Sequence, residues 1–465
     1  MSIEEKENLL IQESMVKDTP NQNVSTSTAN MSPFNFAQLL QNSHCFIKIH
    51  SVLHIYDNCF GYYKPLTTGN GDRFIRMITP THLCSLVNSN FIKETINWLD
   101  ILINSEATPQ ALYNSSLCLN FIDGFLDVIS DNFYQHDPNM IFTSYIPFTY
   151  EQCKYAPEST IFDNWLNEIT NNNSNHKALL SQVFGYLISE YRKIKYMPIF
   201  FGRSNTGKSI WLSLITAAIG NEFIKSISLH NLTSNFRTAE LVGAKANICA
   251  EIDQRKLPNI DLIKSLIGGS DKINADVKNG KPIEFVNTAA LVFSTNTLDF
   301  LKVADPGNAL ANRLLIIPFN KVVSPDKMDG NFDVKLLEEL PRIIYKFAIP
   351  GFGLLALNKF KFILDACAEL DQLTHSPIDT AVTFLINACK FDNTAKIHTD
   401  ALYSVYVNYC NQRALSALQK LKFKDLLSNL HFHIKGIAPL TYCEKFRDKG
   451  FNRNGFYGIA LNTPT

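Results

Sequence analysis

The stretch from Tyr196 to Gly220, YMPIFFGRSNTGKSIWLSLITAAIG, joins an apolar run to an amphipathic segment through a turn bounded by glycines. The turn satisfies the pattern G-x-x-x-x-G-K-[ST], which is typical of a loop that binds phosphate groups. Its residues are Gly202, Arg203, Ser204, Asn205, Thr206, Gly207, Lys208 and Ser209. Glycines let a backbone wrap closely around an anion, so that its N–H groups and the positive end of the following helix face the charge. The pattern therefore predicts a strand, a nucleotide-binding loop and a helix in succession.

Lys208 and Ser209 have separate predicted roles in this loop. A lysine at this position reaches the β- and γ-phosphates of ATP, and the hydroxyl that follows it holds Mg²⁺. Because four of the eight positions are free, the pattern also arises by chance in a glycine-rich turn that binds nothing. The flanking residues favour the phosphate loop, since Ile199–Phe201 is typical of a buried strand and the segment after Ser209 has the apolar face of a helix.

The composition limits the class of protein and its compartment. The 465 residues suffice for two to four domains, 46% of them are apolar, and the formal net charge is zero. Any nucleic-acid site must therefore rest on a local concentration of basic residues. The ten cysteines include no C-x-x-C pair, the N-terminal residues are too acidic for a signal peptide, and no apolar run reaches about 18 residues. We expect a cytoplasmic protein with reduced cysteines and no membrane span.

The patterning along the chain predicts five parts. Residues 1–33 are polar and are expected to form a flexible arm. Residues 34–157 alternate strand-like pieces, such as Phe46–Tyr56, with helical ones, such as Phe91–Leu102, and indicate a mixed α/β accessory domain. Two helices over 158–195 form a collar, residues 196–375 form the core with its lid helices, and residues 376–465 form a C-terminal domain.

Two carboxylates follow an apolar run downstream of the loop. The segment 244–253, AKANICAEID, predicts a strand that ends in Glu251 and Asp253. Residues two apart in a strand point to the same side, so both side chains are expected to face a nucleotide at the end of a parallel sheet. There they would bind Mg²⁺ and activate water. The alternative is an ordinary strand end that is solvated by its charges.

Three further features follow the acidic pair. Asp271 to Phe285 predicts a hairpin around Asn279-Gly280, with Lys278 and Lys281 at its tip. The next strand, Ala289–Ser294, ends near Asn296, whose amide is expected to touch the γ-phosphate or the attacking water. Arg313 stands at the head of another strand, where a single arginine is often structural.

The segment after Ser376 predicts three helices, Thr380–Cys389, Thr399–Gln412 and Leu421–Leu430, followed by two strands, His431–Ile437 and Phe451–Leu461. This order favours a winged helix, in which one helix enters the major groove of DNA. Residues 415–455 hold eight Lys or Arg and three Asp or Glu, a net charge of +5. A solvated basic face on a protein-binding domain is the alternative. The candidate DNA contacts in this segment are Lys422, Lys424, Arg447, Lys449 and Arg453.

The order of these motifs resembles superfamily 3 helicases of the phage and plasmid primase–helicase type, relatives of the poxviral primase–helicase. The motifs that carry the resemblance are FGRSNTGKS, FRTAELVGAKANICAEID, IKSLIGGSDKINADVKNGKPIEF, LVFSTNTLDF and NRLLIIPF. The likeness extends upstream to LNFIDGFLDV and downstream to FYGIAL, so it covers about residues 34–461. Replication initiators of staphylococcal pathogenicity islands or of related phages are the nearest likeness.

The resemblance implies an AAA+-like phosphate-loop core with a parallel sheet, preceded by a mixed α/β domain and followed by a winged helix. It implies that Lys208 and Ser209 bind ATP and Mg²⁺, and that Glu251 and Asp253 form the acidic motif. It also makes Asn296 the sensor, Arg313 an arginine finger given to a neighbouring subunit, and Lys278 or Lys281 a DNA contact. The family often has GGD before the hairpin, whereas this chain has Gly268-Gly269-Ser270-Asp271, which leaves the register of the hairpin tip open.

The expected activity is ATP hydrolysis coupled to the unwinding of DNA by a homohexameric ring, in a bacterial host, at an origin bound by the C-terminal domain. A separate primase or host replication proteins are expected as further partners, because the chain has no room for a priming domain. Two alternatives remain open: an ATP-dependent origin-binding loader that unwinds little DNA, and a phosphate-loop ATPase without helicase activity.

Overall fold

The computed structural model describes residues 31–67, 70–85, 87–234, 236–252, 259–277, 282–297, 310–321, 330–364, 377–412, 417–430, 437–448 and 451–462. The chain divides into two compact units. The first comprises residues 1–296 and 313–366, and the second comprises residues 297–312 and 367–465.

The amino-terminal part of the first unit combines helices with two small antiparallel sheets. Its helices are α1 (Pro33–Ser43), α2 (Asn70–Met77), α3 (Ser89–Leu102) and α4 (Pro109–Ser116). One sheet has the order β1 (Phe46–Ile49), β2 (Val52–Asp57) and β3 (Tyr62–Pro65), and the other has the order β4 (Cys118–Phe121), β5 (Gly124–Asp127) and β6 (Asn132–Tyr134). The prediction of a mixed α/β arrangement before the phosphate loop is confirmed.

The segment Phe46–Tyr56 forms a hairpin and not one continuous strand. His50 and Ser51 adopt φ angles of 49° and 69°, which reverse the chain between β1 and β2. Two consecutive residues with positive φ are characteristic of a tight type I′ turn, but His-Ser lacks the usual Asn-Gly signature of that turn. The turn between β1 and β2 is therefore not predictable from its local sequence.

Three helices lead from the small sheets to the central sheet. They are α5 (Tyr150–Lys154), α6 (Ile161–Ile169) and α7 (Ser174–Ile188). The last two correspond to the predicted collar. Helix α7 is buried along most of its length, including Leu179, Val183 and Leu187. It therefore lies inside the first unit and contributes to its core.

The central sheet has five strands, and all of its pairings are parallel. In chain order the strands are β7 (Met197–Phe201), β8 (Ile224–Lys225), β9 (Ala246–Cys249), β12 (Ala290–Thr295) and β13 (Leu314–Pro318). Their order across the sheet is β13-β7-β12-β9-β8. Every residue of β7, β12 and β13 is buried, as expected for strands with covered faces. The predicted parallel sheet is confirmed.

Two helices and a hairpin connect these strands. Helix α8 (Lys208–Ile219) follows β7, and α9 (Ile260–Gly268) follows β9. Strands β10 (Lys272–Ala275) and β11 (Ile283–Val286) pair antiparallel in the register Ala275 with Ile283, which confirms the predicted hairpin. Its tip, with Lys278 and Lys281, lies outside the described residues.

Trp211 of α8 forms the centre of the core beneath the phosphate loop. Its side chain is fully buried. Six aromatic rings of the described residues surround it at centroid distances of 5.7–6.5 Å: Phe162, Trp165, Phe184, Phe200, Phe319 and Phe347. These rings come from α6, α7, β7, the residue after β13 and the long helix described next. The core therefore joins the collar helices, the sheet and the carboxyl-terminal helices of the unit.

The first unit ends in helices, as expected for the lid helices predicted within residues 196–375. Helix α10 (Phe332–Glu338) precedes a long run made of α11 (Leu340–Ile343), a π-helical turn (Ile344–Ala348) and α12 (Ile349–Leu357). Within the described part of the chain, Leu340–Leu357 is the one helix long and apolar enough to cross a membrane by length and composition. Half of it is buried, and it packs against α7 within the first unit.

The second unit contains three helices and a three-stranded antiparallel sheet. The elements are α13 (Pro377–Ala388), β14 (Cys389–His398), α14 (Thr399–Gln412), α15 (Lys420–Ser428), β15 (Thr441–Asp448) and β16 (Phe451–Leu461). The sheet order is β14-β16-β15. The three helices and the strand Phe451–Leu461 agree with the sequence, whereas β14 and β15 were not predicted. Residues 431–436 of the other predicted strand lie outside the described residues.

Candidate functional site

The predicted phosphate loop connects the carboxyl end of β7 to the amino end of α8. Asn205 and Gly207 have φ angles of 60° and 90°, so two residues of this short loop are in the left-handed region. A Cβ added to Gly202 would collide with the carbonyl oxygen of Phe319, and one added to Gly207 would lie 3.0 Å from the Trp165 ring. Both glycines are therefore required by the surrounding structure. The loop conformation fits the backbone cradle that the sequence predicts.

The ammonium group of Lys208 lies against the inside of this loop. Its Nζ donates hydrogen bonds to the carbonyl oxygens of Gly202 at 2.7 Å and Arg203 at 2.6 Å, and it lies 3.4 Å from the hydroxyl of Thr206. The side chain is buried, and this burial lowers the pKa of the lysine. The cation is thus held where the loop turns, and its bonds to described residues are all to acceptors that the loop itself supplies.

Asn296 meets the phosphate loop through the neighbouring strand. Strand β12 pairs with β7 so that Thr295 lies opposite Phe201, and the N–H of Gly202 donates to the carbonyl oxygen of Thr295 at 3.2 Å. The side-chain amide of Asn296 is 3.5 Å from the hydroxyl of Ser204. The structure therefore brings together Asn296 and the loop, which lie about 90 positions apart in the sequence.

Glu251 lies beyond the end of β9 and not within it. The strand ends at Cys249, and the hydroxyl of Ser294 in β12 donates to the carbonyl oxygen of Ala250. The predicted strand was therefore too long, and the two-residue period of a strand does not set the direction of Glu251. The Glu251 side chain is exposed at the same edge of the sheet as the loop, because β9, β12 and β7 are parallel. Asp253 lies outside the described residues.

Arg313 lies at the opposite edge of the sheet. It ends a short 3₁₀ turn, Ala311–Arg313, and precedes β13, whose first residue Leu314 pairs with Met197 at the start of β7. The loop follows the other end of β7. A strand of five residues spans about 15 Å at roughly 3.3 Å per residue, so Arg313 does not meet the loop of its own chain.

Two side chains beside the loop had no role in the sequence analysis. Trp165 of α6 is buried, packs 6.1 Å from Trp211 and touches Gly207. Phe319 closes over Gly202, and its N–H donates to the carbonyl oxygen of Phe201 at 2.7 Å. Neither has a local signal, because each reaches the loop from a distant part of the chain.

A buried charged network lies below the sheet. The carboxylate of Glu190 is 2.9 Å from Nζ of Lys245 and accepts hydrogen bonds from the hydroxyls of Thr143 at 3.0 Å and Ser144 at 2.9 Å. Burial raises the pKa of Glu190, but the attraction of Lys245 and Arg192 outweighs it, so the net pKa is lowered. Burial lowers the pKa of Lys245 to about 8. This network ties the segment before α5 to the start of β9.

The predicted DNA contacts of the second unit are exposed, with one exception. Lys422, Arg447 and Arg453 are open to solvent, whereas Lys424 is half-buried with its Nζ 3.9 Å from the centre of the Tyr442 ring. Arg453 is 3.9 Å from Asp400, which also pairs with Lys420 at 2.7 Å. Lys449 lies outside the described residues.

The described residues include no cluster of three or more His, Cys, Asp or Glu side chains that could hold a metal ion without other help. The oxygen donors of the described residues at this edge include the hydroxyl of Ser209, at the amino end of α8, and the carboxylate of Glu251. Both are exposed. This donor set suits Mg²⁺, which prefers oxygen ligands, keeps several waters and takes further ligands from substrate phosphates.

Comparisons with known proteins find one family match that includes the loop and one that lies upstream of it. Residues 200–313 match a family model described as "Family of unknown function (DUF5906)", and residues 72–171 match one described as "D5 N terminal like". These two matches support a chain of the primase–helicase type. The first runs from the end of β7 to Arg313, and the second includes the upstream part of the likeness noted from the sequence. No curated protein matches the chain.

Solved structures also match this chain, at a low level of similarity. Two of them are described as "The A form apo structure of NrS-1 C terminal region-CTR" and "The apo structure of NrS-1 C terminal region (305-718)". Each has a TM-score of 0.42 and 12% identity, and each match covers 92% of this chain and 100% of the other. Similarity at this level carries no argument about function.

Proposed function

We propose that this protein is an ATP-dependent DNA helicase of superfamily 3 that works as a ring in the replication of a phage or other mobile element. The observation that carries the proposal is the meeting of three parts at one edge of the parallel sheet. They are the phosphate loop after β7, Asn296 after β12 and Glu251 after β9. In open α/β sheets, ligands bind at the carboxyl ends of the strands where connections diverge in opposite directions. Here the connection after β7 leads to β8, the outermost strand on one side of the sheet. The connection after β12 runs in the other direction, to β13, the outermost strand on the opposite side.

The nucleotide site would be built from the loop and the two strand ends beside it. The backbone N–H groups of residues 202–209 would surround the phosphates, and Lys208 would exchange its bonds to Gly202 and Arg203 for bonds to phosphate oxygens. Ser209 and Glu251, together with Asp253, would hold Mg²⁺, which when bound neutralises the charge that develops on the transferred phosphate. Asn296 would orient the attacking water from its place beside Ser204.

Arg313 acts in this proposal on the site of a neighbouring subunit. Charge builds up on the γ-phosphate during hydrolysis, and an arginine from a second chain is a common means of stabilising it. The position of Arg313 at the far edge of the sheet supports this role, since the arginine does not reach the loop of its own chain. A homohexameric ring, in which each site lies between two subunits, follows from the same proposal.

The second unit would recognise the replication origin as a winged helix. Its three helices and three-stranded sheet, with exposed cations at Lys422, Arg447 and Arg453, support this part of the proposal. Phosphate contacts by lysine and arginine fix a protein on duplex DNA and make its binding dependent on salt. Lys278 or Lys281, at the hairpin tip of the first unit, would contact the DNA inside the ring.

The first prediction tests the proposed activity with Lys208→Ala. We expect this variant to lose ATP hydrolysis and the unwinding of forked DNA while keeping its thermal unfolding temperature within a few degrees, because the removed charge bonds to the loop and, among the described residues, not to the core. Lys359→Ala, on an exposed lysine, is the matched control and should behave as wild type. Unchanged turnover in Lys208→Ala would reject the nucleotide site. Turnover without unwinding in the wild type would favour a loader or a simple ATPase.

A further inference from the structure

In the part of the second unit that the structure describes, the helices cover one face of the sheet and leave the other face open. On the covered face, Ile397 of β14 and Phe456 of β16 lie side by side in the core. Successive residues of a strand point to opposite faces, so Lys396 and Tyr457, which are also a register pair, lie on the other face. Lys390 lies on that face too, because it and its partner Ala460 alternate with residues that pack into or against the core.

The ring of Phe446, in β15, lies at the centre of this open face. A Cβ on Gly455 would lie 2.6 Å from the Phe446 ring, which shows that the ring rests on the glycine. Around it stand His398, with a ring centroid at 4.6 Å, Tyr457 at 5.3 Å and Nζ of Lys396 at 5.7 Å. Nε2 of His398 also bonds to the backbone oxygen of Phe446 at 3.2 Å. The group is thus fixed by packing and by a hydrogen bond.

The outermost ring of this group is open to solvent. Phe446 is 6% exposed, whereas Tyr457 is 37% exposed, so the first ring supports the second at the surface. Two cations lie on the same face as the tyrosine. Lys396, its register partner, is exposed and its Nζ bonds to the backbone oxygen of Arg447 at 3.2 Å, and Arg453, the register partner of Phe446, is 58% exposed. The carboxylate of Asp400 lies at the edge of the group, where it pairs with Arg453 and Lys420.

We propose that this open face, consisting of Lys390, Lys396, Phe446, Arg453 and Tyr457, binds single-stranded nucleic acid. A base would stack on Tyr457, and Lys396 and Arg453 would contact the phosphates on either side. Exposed aromatic rings between cations are the means by which proteins hold unpaired strands without regard to sequence. In a duplex the faces of the bases are covered by their neighbours, so a tyrosine ring on the surface of a sheet has no base to stack on. The face therefore selects unpaired strands.

This surface shares Arg453 with the origin-binding surface proposed above, but its other four residues are not part of that surface. That proposal concerns duplex DNA and the helices and wing of the unit, whereas the open face offers a ring for an unpaired base. Its occupant would be a strand that has already been separated. The inference stands even if the first unit hydrolyses no ATP, because none of its residues belongs to the nucleotide site.

The test uses the full-length protein and fluorescein-labelled strands of twenty thymidines, a strand of equal length without bases, and a duplex. Binding is measured by fluorescence anisotropy without nucleotide. We expect Tyr457→Ala to weaken binding to the thymidine strand by about tenfold, to remove the preference over the abasic strand, and to leave duplex binding unchanged. Tyr457→Phe, which keeps a ring, should bind within about twofold of wild type. Lys396→Gln should weaken binding to both single strands, while the control Lys359→Gln should not.

A second measurement uses the wild-type protein alone, so its result does not depend on whether Tyr457→Ala folds. Strands that carry 5-iodouracil are crosslinked to the wild-type protein by light, and the modified peptides are identified by mass spectrometry. We expect crosslinks at Tyr457. Crosslinks confined to the first unit, or wild-type affinity in both Tyr457→Ala and Lys396→Gln, would overturn the proposal. An equal loss of duplex and single-strand binding in Tyr457→Ala would also overturn it, since the face would then not select unpaired strands.

Discussion

Gly202 and Gly207 show why the phosphate loop tolerates so little change at single residues. Gly202 has no room for a methyl group because the carbonyl oxygen of Phe319 occupies that space, and Gly207 combines a φ of 90° with the nearby ring of Trp165. The glycines of the sequence pattern are explained as backbone flexibility around an anion. In this protein they are required equally by neighbours that the pattern does not mention.

A second prediction follows for Gly202→Ala. The methyl group must displace backbone at Phe319, so we expect the free energy of unfolding to fall by roughly 1–3 kcal/mol, the usual cost of overpacking. Binding of a fluorescent ADP analogue should be lost, because the first turn of the loop moves. Gly330→Ala is the matched control, since nothing lies within 4 Å of its added Cβ. Urea titration and nucleotide titration of both variants measure the two effects, and an unaltered Gly202→Ala protein would contradict the reasoning.

The roles of single residues were predictable where they depend on local sequence. The loop from Gly202 to Ser209 carries its own pattern, and the structure places it between a strand and a helix as predicted. The direction of Glu251 was not predictable, because the end of β9 depends on a bond from Ser294 of another strand to Ala250. The opposite position of Arg313 likewise depends on which strand lies beside β7.

Among the elements, those with regular patterns were found and those with interruptions were missed. Helix α14 has the predicted bounds, Thr399–Gln412, because its apolar residues recur with helical spacing. Strand β14 was missed, since Asp392 and Asn393 interrupt its alternation. The structure accommodates them by a shift of register against β16 between Phe391 and Lys396. The order of the five central strands depends on pairings between distant segments, which no local pattern encodes.

A third prediction concerns the buried ion pair between Glu190 and Lys245. Glu190→Gln leaves the buried ammonium of Lys245 without its partner, so we expect the free energy of unfolding at pH 7 to fall by about 3–5 kcal/mol. The pKa of Glu190 is lower in the folded protein than its ordinary 4.5. The unfolded chain therefore takes up protons first as the pH falls, and the contribution of the carboxylate is lost below about pH 4.5.

The measurement is urea unfolding of wild type and variant at several pH values between 7 and 4. The difference between them should be largest at neutral pH and should narrow below 4.5, the ordinary pKa of the carboxyl. Glu240→Gln breaks an exposed pair with Arg237 and is the matched control, with little effect at any pH. A difference that stays constant over the whole range would show that Glu190 acts by packing alone.

At the scale of the whole molecule, the separation of Arg313 from the phosphate loop decides what one chain can do alone. The loop, Asn296 and Glu251 meet at one edge of the sheet, while Arg313 lies at the other. A complete site in the proposed mechanism therefore needs two chains. In the same proposal, the first unit hydrolyses ATP and the second unit binds nucleic acid.

The fourth prediction is that two inactive variants restore activity when mixed. Arg313→Ala should bind ATP normally and hydrolyse it poorly, and Lys208→Ala should fail at the loop. In a mixed ring, some interfaces pair the intact loop of one variant with the intact arginine of the other, so partial turnover should return. ATPase assays over a series of mixing ratios, with each variant alone as the reference, measure this rescue. No rescue at any ratio would reject both the ring and the role of Arg313.

The contact between α7 and the long helix Leu340–Leu357 limits how this chain can diverge over time. Gly185 faces the backbone of Ala348 and Phe352, and Gly351 faces the backbone of Ser181, so that a Cβ on either glycine would strike main-chain atoms. No change of rotamer relieves such a collision. Among descendants of this sequence that keep both helices in place, substitutions should accumulate freely at exposed positions such as Leu357 but be absent at these two glycines. A pair of glycines 166 positions apart would then mark the fold in relatives too distant for the rest of the sequence to be aligned.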